Sequence, residues 1–227
     1  MKGYNSLPVG SELVLYQNLI DNNTFSEEDF KIASSDVTKL KNLFHPSKED
    51  FNLRLEPGIQ LMQEYMFSEV ITKLNLYGMK QVKSIYENEY DREAPLVIAP
   101  SWIYYQHKDV KSNFWHVHTE AKVKTYSNGS KHIYTNFPVY KTLVMYFQLP
   151  EDVKEAGKIW FSPNRRKFIP GIPNNKISQT DVSFTPKVGD IVIFPGTMPH
   201  FPEIHKGDTN RIVLGTNVYI QKPKSLL

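Results

Sequence analysis

The hexapeptide Trp115-His-Val-His-Thr-Glu120 places two imidazoles and a carboxylate at alternate positions. In an extended strand successive side chains point to opposite faces, so His116, His118 and Glu120 share one side. Two of the three can chelate one metal ion. Cysteine is absent from the chain, so a transition metal has to be held by His, Asp or Glu. A third ligand is offered by His200, which follows the apolar run Asp190-Ile-Val-Ile-Phe-Pro195 and a short turn at Gly196, a pattern that sets an imidazole at a strand end.

Two histidines and one carboxylate on one face of Fe(II) are a common way to activate dioxygen without haem. They leave the opposite positions open for a chelating co-substrate and for O2. Arg211 follows His200 with ten residues between them and opens the run Arg211-Ile-Val-Leu-Gly-Thr-Asn-Val218. An arginine at a sheet edge grips a carboxylate through two parallel hydrogen bonds, a geometry lysine does not offer. On that strand Arg211, Val213, Gly215 and Asn217 share a face. Gly215 leaves room beside the site, and Asn217 is placed to hydrogen-bond a ligand.

The elements that must carry these residues are mainly β. After Gly78 the chain is rich in Val, Ile, Tyr and Trp, broken by polar turns. Strands are expected over Met79–Tyr86, Pro95–Gln106, Asn113–Tyr126, Leu143–Leu149, Lys158–Phe161, Asp181–Thr185, Asp190–Phe194 and Arg211–Ile220. Ser127-Asn-Gly-Ser130 is a hairpin turn signal. Many short strands with Gly and Pro punctuation point to a jelly roll rather than a parallel βαβ sheet. Before Gly78 the spacing predicts helices. Met62, Met66, Val70, Leu74 and Tyr77 form one stripe ending at a C-cap glycine, Gly78, while Ser26-Glu-Glu-Asp29 opens another as a capping box. One domain over 1–227 is expected, with 1–78 as a mostly helical N-terminal support and 79–227 as the jelly-roll core.

His-x-(Asp/Glu), a Tyr-bearing strand, Gly189-Asp-Ile-Val-Ile-Phe-Pro195, then His200, ten residues and Arg211 together resemble the Fe(II)/2-oxoglutarate-dependent oxygenase superfamily, in particular its prolyl-hydroxylase-like and phage-type small members. The matching region runs from about Phe114 to Tyr219. The resemblance implies a double-stranded β-helix fold, with Fe(II), 2-oxoglutarate and O2 as cofactor and co-substrates. It implies oxidative decarboxylation of 2-oxoglutarate to succinate coupled to hydroxylation of a substrate. Its ligand set would be His118, Glu120 and His200, with Arg211 on the far carboxylate of 2-oxoglutarate and Tyr146 hydrogen-bonded to the co-substrate.

The carboxylate ligand of that superfamily is usually Asp, and the adjacent His-x-His also fits. His116 with His118 would give a three-histidine site. A carboxylate offsets part of the metal's charge, and on that ground His118 with Glu120 is preferred. The rivals are a cupin-like three-histidine metalloenzyme that does not use 2-oxoglutarate and a non-catalytic jelly-roll binding module.

Composition narrows the remaining classes. With 27 basic and 24 acidic residues scattered through 227, the charge gives nucleic-acid binding no support. No apolar run reaches the length of a signal-peptide core or a membrane span, so the chain reads as cytoplasmic; the resemblance implies a small-molecule or peptidyl substrate. The proline-bearing segment from Ser162 to Asn175, with Arg165 and Arg166, is long enough to be a substrate-facing loop. His205, in the charged run Glu203-Ile-His-Lys-Gly-Asp208, is expected to face solvent.

Overall fold

The computed structural model describes residues 3–44, 51–55, 69–91, 96–97, 101–107, 115–118, 120–127, 131–152, 154, 156–163 and 177–220, the side chains of 43–44, 51–55, 96–97, 120–138 and 220 excepted. In chain order the elements are β1 (Asn5–Val9), β2 (Glu12–Asn18), α1 (Glu27–Phe44), β3 (Phe51–Leu55), α2 (Glu69–Tyr90), β4 (Leu96–Val97), β5 (Ser101–Gln106), β6 (Glu120–Ser127), β7 (Lys131–Gln148), β8 (Ile159–Phe161), β9 (Val182–Phe184), β10 (Asp190–Pro195), β11 (His200–Pro202) and β12 (Arg211–Ile220). The proline-bearing loop expected from Ser162 lies almost wholly outside the described residues. No helix among the described residues is long and apolar enough to cross a membrane.

All strand pairings are antiparallel. The larger sheet runs β1-β2-β10-β7-β12-β5-β3, with β4 on β12 and β6 on β7, and a smaller sheet runs β11-β8-β9. Helices α1 and α2 cover one face of the larger sheet. Phe30, Ala33 and Val37 of α1 and Ile71, Leu74, Val82 and Ile85 of α2 pack with Leu143, Met145, Phe147, Ile191, Ile193, Ile212 and Leu214. The other face meets the smaller sheet, where Val14, Tyr146, Val192 and Phe194 pack against Ile159 and Phe161. The fold is therefore a double-stranded β-helix backed by helices, as expected from the strand pattern.

Alternation along β12 fixes which residues reach the space between the sheets. Ile212, Leu214 and Val218 enter the helix-side core, so Arg211, Val213, Gly215 and Asn217 turn the other way. A one-residue slip would drive Arg211 and Asn217 under the helices and forfeit about 1.5–3 kcal/mol for each apolar side chain expelled. On β5 the same alternation sends Ile103 and Tyr105 to the helices, leaving Trp102 and Gln106 on the inter-sheet side.

The structure differs from the sequence reading in that the 1–78 segment, expected as a mostly helical support, also gives β1, β2 and β3 to the larger sheet, and in the span of α2. Met79–Tyr86, expected as a strand, is the second half of α2. Val82, Ile85 and Tyr86 continue the stripe of Ile71 and Leu74 at helical spacing, and no turn signal interrupts them. Gly78 is accordingly not a C-cap. It lies buried in mid-helix, where an added Cβ would stand 2.5 Å from Met145 Cε and 3.2 Å from both Leu143 methyls, so its lack of a side chain lets α2 lie against β7. The left-handed residue at the helix end is Asp91, with φ of 47°. The capping box at the start of α1 forms as expected, with Ser26 N donating to Asp29 Oδ2 at 2.8 Å and Asp29 N to Ser26 Oγ at 3.2 Å. β6 and β7 pair as a hairpin from Glu120↔Pro138 to Ser127↔Lys131, and the turn joining them lies outside the described residues.

Phe147 is 2% exposed and meets Phe30 edge-on at 6.1 Å between ring centres. Phe147→Ala should lower unfolding free energy by about 3–5 kcal/mol in urea titrations. A loss below about 1 kcal/mol would show that this face does not carry the core.

Candidate metal centre

A backbone pair builds the centre. His116 N donates to His200 O and His200 N to His116 O, both at 3.0 Å, so the two residues sit directly opposite each other in an antiparallel bridge and their side chains share a face. His118 N donates to Gly196 O at 2.8 Å, tying the next strand-like step to the turn before β11. The outcome is that ring nitrogens of His116, His118 and His200 all lie within 4.8 Å of one another. Glu120 is the first residue of β6, opposite Pro138. Its side chain lies outside the described residues.

Second partners orient two of the imidazoles. His200 Nδ1 lies 3.1 Å from Met198 O. A carbonyl only accepts, so Nδ1 carries the proton and the Nε2 lone pair faces the other rings. His118 Nδ1 is 3.2 Å from Asn217 Nδ2, whose Oδ1 accepts from Thr142 Oγ1 at 2.8 Å. With the amide so turned, His118 Nε2–H donates to His200 Nε2 across 3.3 Å. A half-turn of the Asn217 amide reverses both bonds. Thr142 then accepts, His118 Nδ1 becomes the donor, and the Nε2 lone pair is released toward a cation.

The donor set suits a divalent transition metal. Two Nε2 atoms 3.3 Å apart can both reach one ion at the usual bond length of about 2.1 Å. Burial, and then the neighbouring His116, hold the His118 imidazole down from its ordinary 6.5 to about 3. Burial first, then His116 and His118, drive His200 well below its usual range against the opposing Met198 carbonyl. Both imidazoles are therefore neutral at physiological pH, the state a metal requires.

One wall is aromatic. The Trp102 indole stacks on His118 with ring centres 5.4 Å apart and planes 25° from parallel. It reaches that position across Gly215, where an added Cβ would stand 2.3 Å from Trp102 Cε2. The room expected beside Gly215 is thus filled by Trp102. Asn217, expected to touch a ligand, has its amide engaged by Thr142 and His118.

Arg211 is 4% exposed. Its Nε and Nη2 donate to Gln106 Oε1 at 2.8 and 2.5 Å, and Nη1 donates to Glu203 O at 2.8 Å. A guanidinium has five N–H groups, so one on Nη1 and one on Nη2 are left over. No carboxylate among the described residues forms an ion pair with it. Burial lowers its proton affinity, while Tyr146 and Glu203 act in the opposite direction. Tyr146 is buried as well, and its phenol is pushed far above its ordinary value by burial, with Arg211 opposing and Asp190 adding to the rise. Tyr146 therefore keeps its O–H beside the guanidinium.

His205, expected to face solvent, is 1% exposed, and its Nε2 lies 3.0 Å from Gln106 O. It is tied to the end of β5, whose Gln106 side chain holds Arg211, so a charged local sequence misreported its surroundings. Trp102, Gln106 and Glu203 were not singled out from the sequence. A strand Ser101-Trp-Ile-Tyr-Tyr-Gln106 with Trp and Gln on one alternating face was the available signal for the first two.

Solved iron- and 2-oxoglutarate-dependent oxygenases share this chain's fold. The enzyme HygX from Streptomyces hygroscopicus, solved with nickel and 2-oxoglutarate bound, superposes with a TM-score of 0.61 at 11% identity, covering 92% of this chain and 82% of its own. A Pseudomonas putida prolyl-4-hydroxylase gives 0.56 at 10% identity, covering 95% and 96%. The viral collagen prolyl hydroxylase of Paramecium Bursaria Chlorella virus-1, in its 2-oxoglutarate complex, gives 0.51 at 11% identity, covering 92% and 96%. No protein-family model matches the sequence, and no curated protein matches it.

Protonation links the centre to stability. Below 6.5 the unfolded chain takes up a proton that folded His118 refuses until about pH 3, so the metal-free protein should lose stability on acidification through that window and show no such loss above it. Urea midpoints across the window should fall less steeply in His118→Gln than in the wild type. Equal slopes would show that His118 is not desolvated.

Proposed function

We propose that the protein is an Fe(II)- and 2-oxoglutarate-dependent dioxygenase whose metal is held by the imidazoles of His116, His118 and His200. The observation that carries this reading is the buried guanidinium of Arg211, on the same inter-sheet face of β12 as Asn217, the partner of His118. Burying a cation without an anion costs several kcal/mol. Its two uncommitted N–H groups suit a carboxylate, and the Tyr146 hydroxyl beside them adds a neutral donor. A metal chelated at one end and an arginine-bound carboxylate at the other are what 2-oxoglutarate needs.

Within this reading each residue has a defined task. His200 presents Nε2 with its proton locked on the Met198 carbonyl, and Asn217 sets the His118 tautomer with Thr142 behind it. Trp102 closes one side of His118 to water. Three protein donors leave positions for the keto acid and O2, and bound Fe(II) would supply oxidative decarboxylation to succinate coupled to substrate hydroxylation. Arg211 and Tyr146 hold the far carboxylate and so fix which end of the co-substrate faces the metal. The prime substrate belongs to a small-molecule or peptidyl class. HygX has been solved with hygromycin B, and the viral enzyme is a collagen prolyl hydroxylase.

The all-histidine donor set favours one second reading, a cupin-like three-histidine metalloenzyme that makes no use of 2-oxoglutarate. Succinate release from 2-oxoglutarate with iron and ascorbate separates the two. Alanine at His116, His118 or His200 should abolish succinate formation and weaken Fe(II) or Mn(II) binding at least a hundredfold, whereas Glu120→Ala should leave metal affinity within about threefold. Loss of the metal in Glu120→Ala with retention in His116→Ala would instead assign the ligands to His118, Glu120 and His200.

A further inference from the structure

Glu203 stands where β11 leaves the smaller sheet, and it makes more specific contacts than its place in a connecting segment requires. Its carboxylate accepts from the Trp160 indole Nε1 at 2.6 Å and from Lys158 N at 3.0 Å. Its own N–H donates to Lys158 O at 2.7 Å. Its carbonyl oxygen then accepts from Arg211 Nη1 at 2.8 Å. Gly157 lies against this junction in the left-handed region, φ 75°. A Cβ there would stand 3.0 Å from Glu203 O, 3.1 Å from Arg211 Nη1 and 3.2 Å from Ile204 O. Only glycine takes that backbone shape without strain and leaves the carbonyl its approach to the guanidinium.

We infer that Glu203 is a positioning residue for the anion site: its carboxylate, clamped by Trp160 and Lys158, fixes the backbone carbonyl that aims Arg211. The inference rests on the dioxygenase reading for the identity of the anion.

Two constraints on the guanidinium give it this force. Gln106 Oε1 takes the Nε edge and one Nη2 hydrogen, which fixes the plane along one side. The Glu203 carbonyl takes one Nη1 hydrogen and fixes the other end, so the remaining pair of N–H groups has a defined direction. Bidentate carboxylate binding depends on that direction, because two parallel bonds are lost together when the plane rotates. The carboxylate of Glu203 reaches no hydrogen of Arg211, so its effect is transmitted through its main chain. Its negative charge also favours the buried cation from a distance.

The test uses the full-length, Mn(II)-loaded protein and N-oxalylglycine, an unreactive 2-oxoglutarate mimic, titrated calorimetrically. Glu203→Ala should weaken N-oxalylglycine binding about tenfold, leave Mn(II) affinity unchanged, and in turnover raise KM for 2-oxoglutarate with kcat retained. Trp160→Phe, which removes the indole donor and keeps the ring, should show a smaller loss. The double variant should be no weaker than Glu203→Ala alone, since both act through one junction. Glu203→Gln keeps one acceptor and should fall between wild type and Ala, which keeps the question answerable if the alanine variant does not fold. Unchanged N-oxalylglycine affinity in folded Glu203 variants would overturn the inference, as would an equal loss of Mn(II) affinity. A wild-type protein that binds Mn(II) but not N-oxalylglycine would overturn the dioxygenase reading itself, and this inference with it.

Discussion

The centre depends on one pair of main-chain hydrogen bonds, those between His116 and His200. They join the segment after residue 114 to the start of β11 and turn two imidazoles to the same side. His118, two positions on, then meets His200 across 3.3 Å. Everything else around the site serves that convergence. The Gly196 carbonyl holds His118 from its backbone, Asn217 and Thr142 set its ring proton, and Trp102 covers its face.

The inter-sheet face carries two opposite electrostatic preparations. At one end, burial keeps His118 and His200 uncharged, so their lone pairs are available to a cation. Further along β12, burial leaves Arg211 charged but without a protein carboxylate as partner among the described residues. Neither arrangement is stabilising for the protein alone, since desolvated imidazoles and an unpaired guanidinium both cost free energy. In the proposed function, a metal and a dicarboxylate on this face would make both favourable together. Gln106, Glu203 and Gly157 then have a reason to be where they are.

Much of the candidate site was legible in the sequence because its signals are local. Period-two spacing in Trp115–Glu120, a histidine after a buried strand and an arginine opening the next are each read within a few residues. The choice between Glu120 and His116 was not legible, because both satisfy the same alternation; the bridge to His200 places His116, and the Glu120 side chain lies outside the described residues. The carboxylate preference rested on charge alone, whereas the described geometry brings His116 to the other two rings. Trp102, Gln106 and Glu203 escaped notice because their partners lie across sheet pairings such as β5 with β12, which no local pattern reports. The fold class was legible from strand count and punctuation. The α2 boundary was not, since Gly78 is there for close packing on β7 and imitates a stop signal.

A crystal structure of the Mn(II)-loaded protein with N-oxalylglycine tests the central claim most directly. The expected result is one ion bonded to nitrogens of His116, His118 and His200, with the far carboxylate of the inhibitor on the two spare N–H groups of Arg211 and on the Tyr146 hydroxyl. An ion bound away from the three imidazoles, or an inhibitor whose carboxylate ignores Arg211, would contradict it.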